Sequence, residues 1–512
     1  MAATEHLLRQ GSFPAFFGIV AIATLVIRYL YPDLFSQSPI SKLPYVGTHV
    51  GLPIQKKISF MTNARKLLRD GYRKFHIYRT ETALGQCVFL SRDSMVELLK
   101  KPDEVINFEK VVIKDFECKL TKLASSEPIV PHTIRSDLTP GLVRIIPRVA
   151  IEVARTIDNE LPATDSWTAH NIYDKLLRIV AISAGSAFLG PESCHSEEWI
   201  QSAVGYTIDV VTGAVILKLF PSFLRPLAAK FVPAIKRVDR HRAGISRMMV
   251  PIIRERKEKA NTPGYEKPDD MLQWMLDKAP EYGIENDEEM AYVQLGVGLV
   301  SIHSTTSTAT QALYDLAARP EYFQPLRDEI AKALQESGGD FTKDSLYSCK
   351  LLDSFMKESQ RMSPISMVIG KRILEEDVQL SNGVFLPKGT LVASPAEAVG
   401  NDPAHFENPD EFDGYRFYRL RQKGGLQGNL NQMVTANKQN LAFGYGKHAC
   451  PGRFFAVAEI KLIVAHILLN YDIELADKSV GRYPNKFHGD ACTPDTSKQL
   501  LFRKRLSGQS EI

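Results

Sequence analysis

Cys450 stands in the run Phe443-Gly444-Tyr445-Gly446-Lys447-His448-Ala449-Cys450-Pro451-Gly452. The segment that follows, Arg453 to Asn470, carries apolar residues at helical spacing: Phe454, Phe455, Val457, Ala458, Ile460, Leu462 and Ile463. The cysteine is therefore placed at the mouth of a helix, where free amide N–H groups and the positive end of the helix dipole favour a thiolate. A thiolate is the ligand a haem iron needs if oxygen is to be split rather than carried. Gly446 and Gly452 have no Cβ to collide with a ring lying on the sulfur, and Pro451 suits a first helical turn. Two other groupings could do chemistry. Glu358 and Arg361 are three residues apart, on one face of a predicted helix from Leu351 to Met362 that ends before Pro364. Ser301-Ile302-His303-Ser304-Thr305-Thr306 lies in the middle of a long apolar helical pattern from Glu289 to Leu316, where hydroxyls either relay protons or bond back to carbonyls one turn earlier.

A dinucleotide-binding reading competes on pattern alone. Gly444-x-Gly446-x-x-Ala449 fits the fingerprint, and Tyr471 to Leu475 reads as a following strand with an acid. Only a short tail follows, too little to complete a doubly wound sheet, and Lys438 to Ala442 makes a poor buried strand. Gly296-x-Gly298-x-x-Ser301 lies inside a helical pattern and is weaker.

The cysteine run resembles the ligand loop of the haem-thiolate monooxygenases, the cytochrome P450 superfamily, whose pattern is Phe-x-x-Gly-x-Arg-x-Cys-x-Gly. Phe443, Gly446, Cys450 and Gly452 match it, and His448 takes the place of the usual arginine. The resemblance implies haem b (iron protoporphyrin IX) as cofactor, Cys450 as the axial iron ligand, and His448 at a haem propionate with less charge than arginine. Glu358-Ser359-Gln360-Arg361 matches the Glu-x-x-Arg motif of the same family. Asn408 to Phe417 resembles the segment whose arginine, here Arg416, closes a buried triad with that pair. The triad's implied role is structural support of the cysteine loop. Thr305 aligns with the threonine that steers protons to iron-bound oxygen. The usual acid before it is Ser304, and the usual glycine is Ile302. The implied proton path then runs through Thr305, Ser304, His303 and water, or through a hydroxyl of the substrate. Arg135, in the run His132 to Thr139, resembles the helix arginine that meets one propionate, and Lys371 or Arg372 is assigned to the other side.

The elements needed to position these groups are mainly helical. The hairpin signal Val378-Gln379-Leu380 and Val384-Phe385-Leu386, around Ser381-Asn382-Gly383, adds a small β region. The expected fold class is thus mainly α, the cytochrome P450 fold of a large helical domain with a small β region, behind an N-terminal transmembrane helix. The 512 residues are long for one domain, yet no low-complexity linker or internal repeat divides them. A net charge of +4 gives nucleic-acid binding no support. Six cysteines, at 87, 118, 194, 349, 450 and 492, have irregular spacings and no Cys-x-x-Cys pair, which argues against a zinc site and a disulfide framework.

Gly11 to Ile27 has no charged residue, and with Arg28 snorkelling the apolar stretch extends to Leu34, about the ~20 residues that cross a bilayer. Pro32, Pro39 and Pro44 then stiffen a hinge. A cleaved signal peptide is the alternative, because Ala21-Ile22-Ala23 mimics a cleavage site. The expected division is 1–34 anchor, 35–50 proline-rich hinge and 51–512 haem-thiolate domain, single-pass in the endoplasmic reticulum membrane with the catalytic part cytosolic. The resemblance implies electrons from NADPH-cytochrome P450 reductase, with cytochrome b5 as a further donor, and dioxygen as co-substrate. The expected cavity walls are Val111 to Val130, Tyr206 to Phe223, Leu295 to Thr305, Ile365 to Ile369 and Ala491 to Pro494, mainly apolar. They favour a hydrophobic polycyclic substrate, a terpenoid or indole-terpenoid. The loop style is similar to fungal secondary-metabolite members related to the kaurene oxidases. The alternatives are a polyketide or fatty acyl substrate, an isomerase or dehydratase that needs no electrons, and a haem-binding sensor or carrier.

Overall fold

The computed structural model describes residues 20, 24, 38–47, 52–124 and 127–505. All of the expected anchor but Val20 and Thr24, and residues 35–37 and 48–50 of the expected hinge, lie outside the described residues. The longer helices are α1 (Pro53–Lys74), α2 (Arg92–Leu98), α3 (Glu109–Asp115), α4 (Thr139–Glu160), α5 (Ile172–Phe188), α6 (Glu197–Lys218), α7 (Pro233–Lys259), α8 (Asp287–Ala317), α9 (Phe323–Glu336), α10 (Lys350–Met362) and α11 (Arg453–Asn470). Helices α5, α6, α7, α10 and α11 pack on α8, α4 packs on α5 and α11, and their buried faces form one continuous apolar core. The start of α8 is capped by Asn286, whose side chain accepts the Glu288 N–H at 2.8 Å. Three acids in its first turn, Asp287, Glu288 and Glu289, complement the dipole. Gly298 sets how close α6 can come: a Cβ there would meet Ala203 and Trp199 at 3.3 Å.

The strands stand to one side. β1 (Ile77–Thr82), β2 (Gly85–Leu90), β3 (Ile106–Asn107), β5 (Ile369–Leu374) and β8 (Leu391–Ser394) make a five-stranded sheet in the order β1-β2-β8-β5-β3, antiparallel except for the β2–β8 pair. β4 (Thr168–His170), β9 (Tyr471–Leu475) and β12 (Leu500–Lys504) make an antiparallel sheet in the order β4-β12-β9. β6 (Val378–Gln379) with β7 (Phe385–Leu386), and β10 (Lys486–His488) with β11 (Ala491–Thr493), are hairpins. The expected hairpin at 378–386 is present. The strand at Tyr471 is also present, but it pairs antiparallel with the chain's last strand, which removes the dinucleotide-fold reading.

Among the described residues, α6 is the one helix long and apolar enough to cross a membrane, and over half of its apolar window is buried against the rest of the domain. Packing on α7 and α8 makes it a core helix of the domain.

One core group is unusual. Glu459 on α11 is fully buried, accepts the Ser183 hydroxyl at 2.6 Å, and leaves Oε2 without a partner. Burial raises its pKa from an ordinary 4.5 to about 8. The folded state therefore holds the proton where the unfolded chain has lost it, and stability falls as pH rises from 4.5 towards 8. Glu459→Gln, which keeps the neutral shape and an acceptor for Ser183, should match wild type near pH 4.5. It should exceed wild type by up to about 4 kcal/mol at pH 8 in thermal or denaturant unfolding. A constant difference between the two proteins across that range would contradict this.

Candidate active site

The loop before α11 has no regular ladder and is shaped by turns. Gly444 and Gly446 adopt φ of +76° and +67°, a region costly for any residue with a Cβ. The Cys450 N–H donates to the Phe443 carbonyl at 2.8 Å, and the Ala449 N–H to Gly446 at 3.1 Å. The backbone N–H groups of Gly452 and Arg453 reach the sulfur. The expected preference for thiolate does not follow in the protein alone: although the side chain is solvent-accessible, the protein packed around it partly desolvates the sulfur and pushes the thiol pKa up against those amides and the Arg453 charge. A bound cation at the sulfur would reverse that balance.

Cys450 is the exposed cysteine of the six, the other five being buried. Its flank is open as well: a Cβ on Gly452 would meet nothing within 4 Å. Val300 is 63% exposed in the middle of α8, while Leu299 and Ile302, close by on the same helix, are buried. Ser304, one turn on from Val300, is half-buried.

The α8 hydroxyls sort into two kinds. Ser301, Ser304, Thr308 and Thr310 all donate to carbonyls four residues earlier, at 2.8, 3.0, 2.9 and 2.8 Å. The Thr305 and Thr306 hydroxyls have no such bond among the described residues, and that of Thr306 is buried without a partner. His303 does not join a proton path from this side. Its Nε2–H donates to the Val204 carbonyl of α6 at 3.0 Å, and Tyr173 lies 3.5 Å from Nδ1. Burial lowers its pKa, so the ring is held neutral.

Of the four side chains expected at the propionates, three gather beside the cysteine loop. Arg135 lies in a π-helical turn, Ile134–Leu138, and its Nη2 donates to the Lys447 carbonyl at 3.1 Å. Arg372 on β5 lies over the Phe108 ring at 4.8 Å, and Phe108 in turn meets His448, with centroids 6.4 Å apart. Arg372 is buried, its Nε has no partner, and burial lowers its pKa to about 10. A buried guanidinium N–H with nothing to bond is a place for an anion. His448 is already engaged, with Nε2 2.6 Å from Asp103, which also takes Lys447 at 3.0 Å. Burial lowers the His448 pKa, reinforced by the Arg372 charge, so His448 is a poor stand-in for arginine. Lys371 is committed elsewhere, to Asp115 at 3.0 Å and Asp490 at 2.6 Å. Lys371 and Arg372 thus have separate partners, two carboxylates for the one and the Phe108 ring for the other. This donor set suits a planar cofactor carrying two carboxylates: an accessible sulfur, an open flank and a buried cation in need of an anion.

The structure brings Glu358, Arg361 and Arg416 together. Arg361 bonds the carboxylate bidentately at 2.7 and 2.8 Å, and Arg416 Nε approaches both oxygens at 3.1 and 3.2 Å. Glu358 is completely buried. The remaining guanidinium N–H groups hold backbone: Arg361 takes the carbonyls of Gly400 and Pro409, and Arg416 that of Glu411. A second buried network on α10 lay beyond sequence reasoning. Asp353 accepts from Arg421, Lys461 and the Met433 N–H at 2.9, 2.7 and 2.9 Å. Lys357, lowered by burial to about 7, donates to the Gln432 carbonyl at 3.0 Å. Asp353, Lys357 and Arg361 recur every four residues, and that polar stripe inside a helix was the available signal. Asp103 and Phe108 carried none.

A family model described as Cytochrome P450 matches residues 133–502. The chain is 34% identical over 494 residues to cytochrome P450 monooxygenase AN1598 of Emericella nidulans, covering 95% of this chain and 92% of that one. It is 36% identical over 466 residues to cytochrome P450 monooxygenase braC of Annulohypoxylon truncatum, covering 90% and 92%. It is 38% identical over 461 residues to cytochrome P450 monooxygenase BOA4 of Botryotinia fuckeliana, covering 89% and 90%. The chain belongs to the cytochrome P450 family. It is a haem-thiolate monooxygenase, which uses haem, dioxygen, a hydrophobic substrate and electrons from a reductase.

Glu358→Gln removes the charge that pairs two buried guanidinium groups, at a cost of about 3–5 kcal/mol. The variant should unfold at lower denaturant and lose haem on gel filtration under conditions where wild type keeps it. Unchanged stability and haem content would contradict the support assigned to the triad.

Proposed function

We propose that Cys450 ligates the haem iron and that this chain oxidises a hydrophobic polycyclic substrate, of terpenoid or indole-terpenoid class, in secondary metabolism. The observation that carries the reading is the accessible Cys450 sulfur with an open flank at Gly452, and beside its loop the buried Arg372, whose Nε–H has no partner. Haem held by a thiolate supplies the activation of dioxygen for insertion into an unactivated C–H bond. The residues of the chain do the rest. The Gly452 and Arg453 amides hold the sulfur. Arg372 and Arg135 pair with the propionates, and Phe443, Gly446 and Gly452 shape the seat. Glu358, Arg361 and Arg416 keep that seat in place. The free Thr305 hydroxyl holds a proton on the oxygen side. Ser304, in the position of the usual acid, spends its own proton on the Val300 and Ser301 carbonyls and keeps lone pairs to orient water. The absence of a carboxylate leaves part of the proton supply to water or to a hydroxyl of the substrate.

The apolar lining supports the substrate class. Val300 on α8 and Ile365, both within the expected walls, are exposed apolar side chains. The division into a 1–34 anchor, a 35–50 hinge and a 51–512 domain, single-pass in the endoplasmic reticulum membrane with the catalytic part cytosolic, is supported by two features. One is the uncharged run Gly11 to Ile27. The other is exposed apolar surface at Leu219, Phe220, Phe223, Leu224, Leu227 and Phe231, which a bilayer would cover. Cytochrome b5 is proposed as a second electron donor beside the reductase.

The test is the reduced, carbon-monoxide-bound difference spectrum together with NADPH- and reductase-dependent turnover, after a binding-shift screen of polycyclic terpenoids against fatty acids and polyketides. Wild type should give the thiolate spectrum and terpenoid-induced shifts. Cys450→Ser should lose both spectrum and turnover, and a variant that keeps them overturns the ligand assignment. Thr305→Ala should bind substrate normally while product per NADPH falls about ten-fold and peroxide rises to match. Unchanged coupling counts against the role given to this hydroxyl.

A further inference from the structure

Glu152, Cys194 and His195 bring one donor atom each, an oxygen, a sulfur and a ring nitrogen, to within 4.8 Å of one another. They are the one such trio of acid, thiol and imidazole groups among the described residues. Glu152 stands on α4. The other two lie in the connection between α5 and α6, directly before Ser196, which caps the start of α6. That connection holds the thiol in place. Gly190 adopts φ of +89°, and its carbonyl accepts the Ser193 and Cys194 N–H groups at 3.3 and 3.2 Å. The Arg256 guanidinium ties down the chain just before it, through the Leu189 carbonyl at 3.1 Å. Gly185 on α5 leaves the room that Cys194 fills, since a Cβ there would meet the Cys194 Cβ at 3.0 Å.

Cys194 is fully buried and Glu152 nearly so, while the His195 side chain is 34% exposed. A carboxylate taken out of water needs partners. Glu152 has one hydrogen-bond partner among the described residues, the His195 Nε2 at 2.8 Å. The Cys194 thiol donates to the Pro191 carbonyl at 3.3 Å. Burial and the Glu152 charge push that thiol up to about 12, against a backbone N–H and the Arg155 and Arg148 charges, so the protein alone keeps the proton on sulfur. A divalent cation reverses this, because it displaces the thiol proton to solvent. The donor spacing is near what zinc needs. Bonds of ~2.3 Å to sulfur and ~2.1 Å to nitrogen and oxygen set tetrahedral donor separations of about 3.4–3.6 Å. The His195–Glu152 contact then opens by about 0.6 Å, and the sulfur closes on the pair by at most about 1.3 Å. His195, the exposed member, is free to make that adjustment, and its open side leaves a fourth position to water. Magnesium and calcium take oxygen donors, so sulfur and nitrogen in the set favour zinc.

We propose that Glu152, Cys194 and His195 form a zinc site of three protein ligands and one water, which ties α4 to the chain entering α6. The neutral imidazole keeps its proton on Nδ1 when Nε2 takes the metal, and the thiol gives up its bond to Pro191. Thiolate, carboxylate and dication sum to no net charge, so the filled site sits beside Arg148 and Arg155 without repelling them. Arg148 is in any case turned to the Asp269 carbonyl, at 3.0 Å.

The test uses full-length holoenzyme freed of loose metal by a chelator, Cys194→Ser and His195→Ala variants, and zinc and cadmium ions as probes. Wild type should take up one equivalent of zinc in competition with a chromogenic chelator, and cadmium should bring up the ultraviolet band of a metal–thiolate bond. Cys194→Ser should lose the band. Both variants should bind zinc about 100-fold more weakly or worse, since losing even an outer partner of a metal ligand costs about 10–100-fold. Amide hydrogen exchange over 190–196 should slow on adding zinc to wild type and stay unchanged in the variants. Zinc that binds wild type and both variants alike is an adventitious ion only and overturns the site. So does a wild type without the cadmium band, or a band retained in Cys194→Ser, which belongs to another sulfur. Should Cys194→Ser fail to fold, His195→Ala, altered at the exposed member of the trio, carries the same comparison.

Discussion

An accessible sulfur has to be held still by a loop that makes few hydrogen bonds to itself. The stretch around Cys450 contains turns and one short 3-10 segment, Gly446–His448, and no strand. The chain that leads into it is held from α10. On one side of that helix, Glu358 is buried between Arg361 and Arg416, whose remaining N–H groups grip carbonyls at 400, 409 and 411. On another, Asp353 and Lys357 take hold of the chain at 432 and 433, on the way to the loop. Buried ion pairs contribute little net stability, since desolvation offsets most of the attraction. What they give here is fixed geometry, because each partner is satisfied in only one arrangement.

The five-stranded sheet divides two tasks between neighbouring residues. Arg372 faces the cysteine loop with an N–H left unbonded, and Lys371 joins the carboxylates that tie α3 to the β10–β11 turn. One strand thus carries both a buried guanidinium beside the cysteine loop and the lysine at the centre of a chain of ion pairs. The α8 helix makes a similar division. Most of its hydroxyls are consumed by its own carbonyls, His303 is consumed by α6, and Thr305 is left free.

Much of this was legible in the chain because it is local. The helix after Cys450 runs over Arg453–Asn470 as its apolar spacing indicates, and the Glu358 helix ends at Met362, just short of Pro364. The 378–386 hairpin follows from its turn residues. What was not legible depends on long-range meeting. His448 finds Asp103 across 345 positions, so its assignment to a propionate on local grounds missed the acid that already holds it. Lys371 and Arg372 could not be told apart by type, and their distant partners separate them. The thiolate preference expected from the helix mouth considered amides and dipole and left out desolvation by the surrounding protein, which outweighs them.

The account stands on an iron–sulfur bond at position 450. X-ray absorption at the iron edge of the ferric, full-length protein reads it directly. The expected result is one sulfur in the first coordination shell of wild type and none in Cys450→Ser. A first shell without sulfur in wild type, or with sulfur retained in the variant, would contradict it.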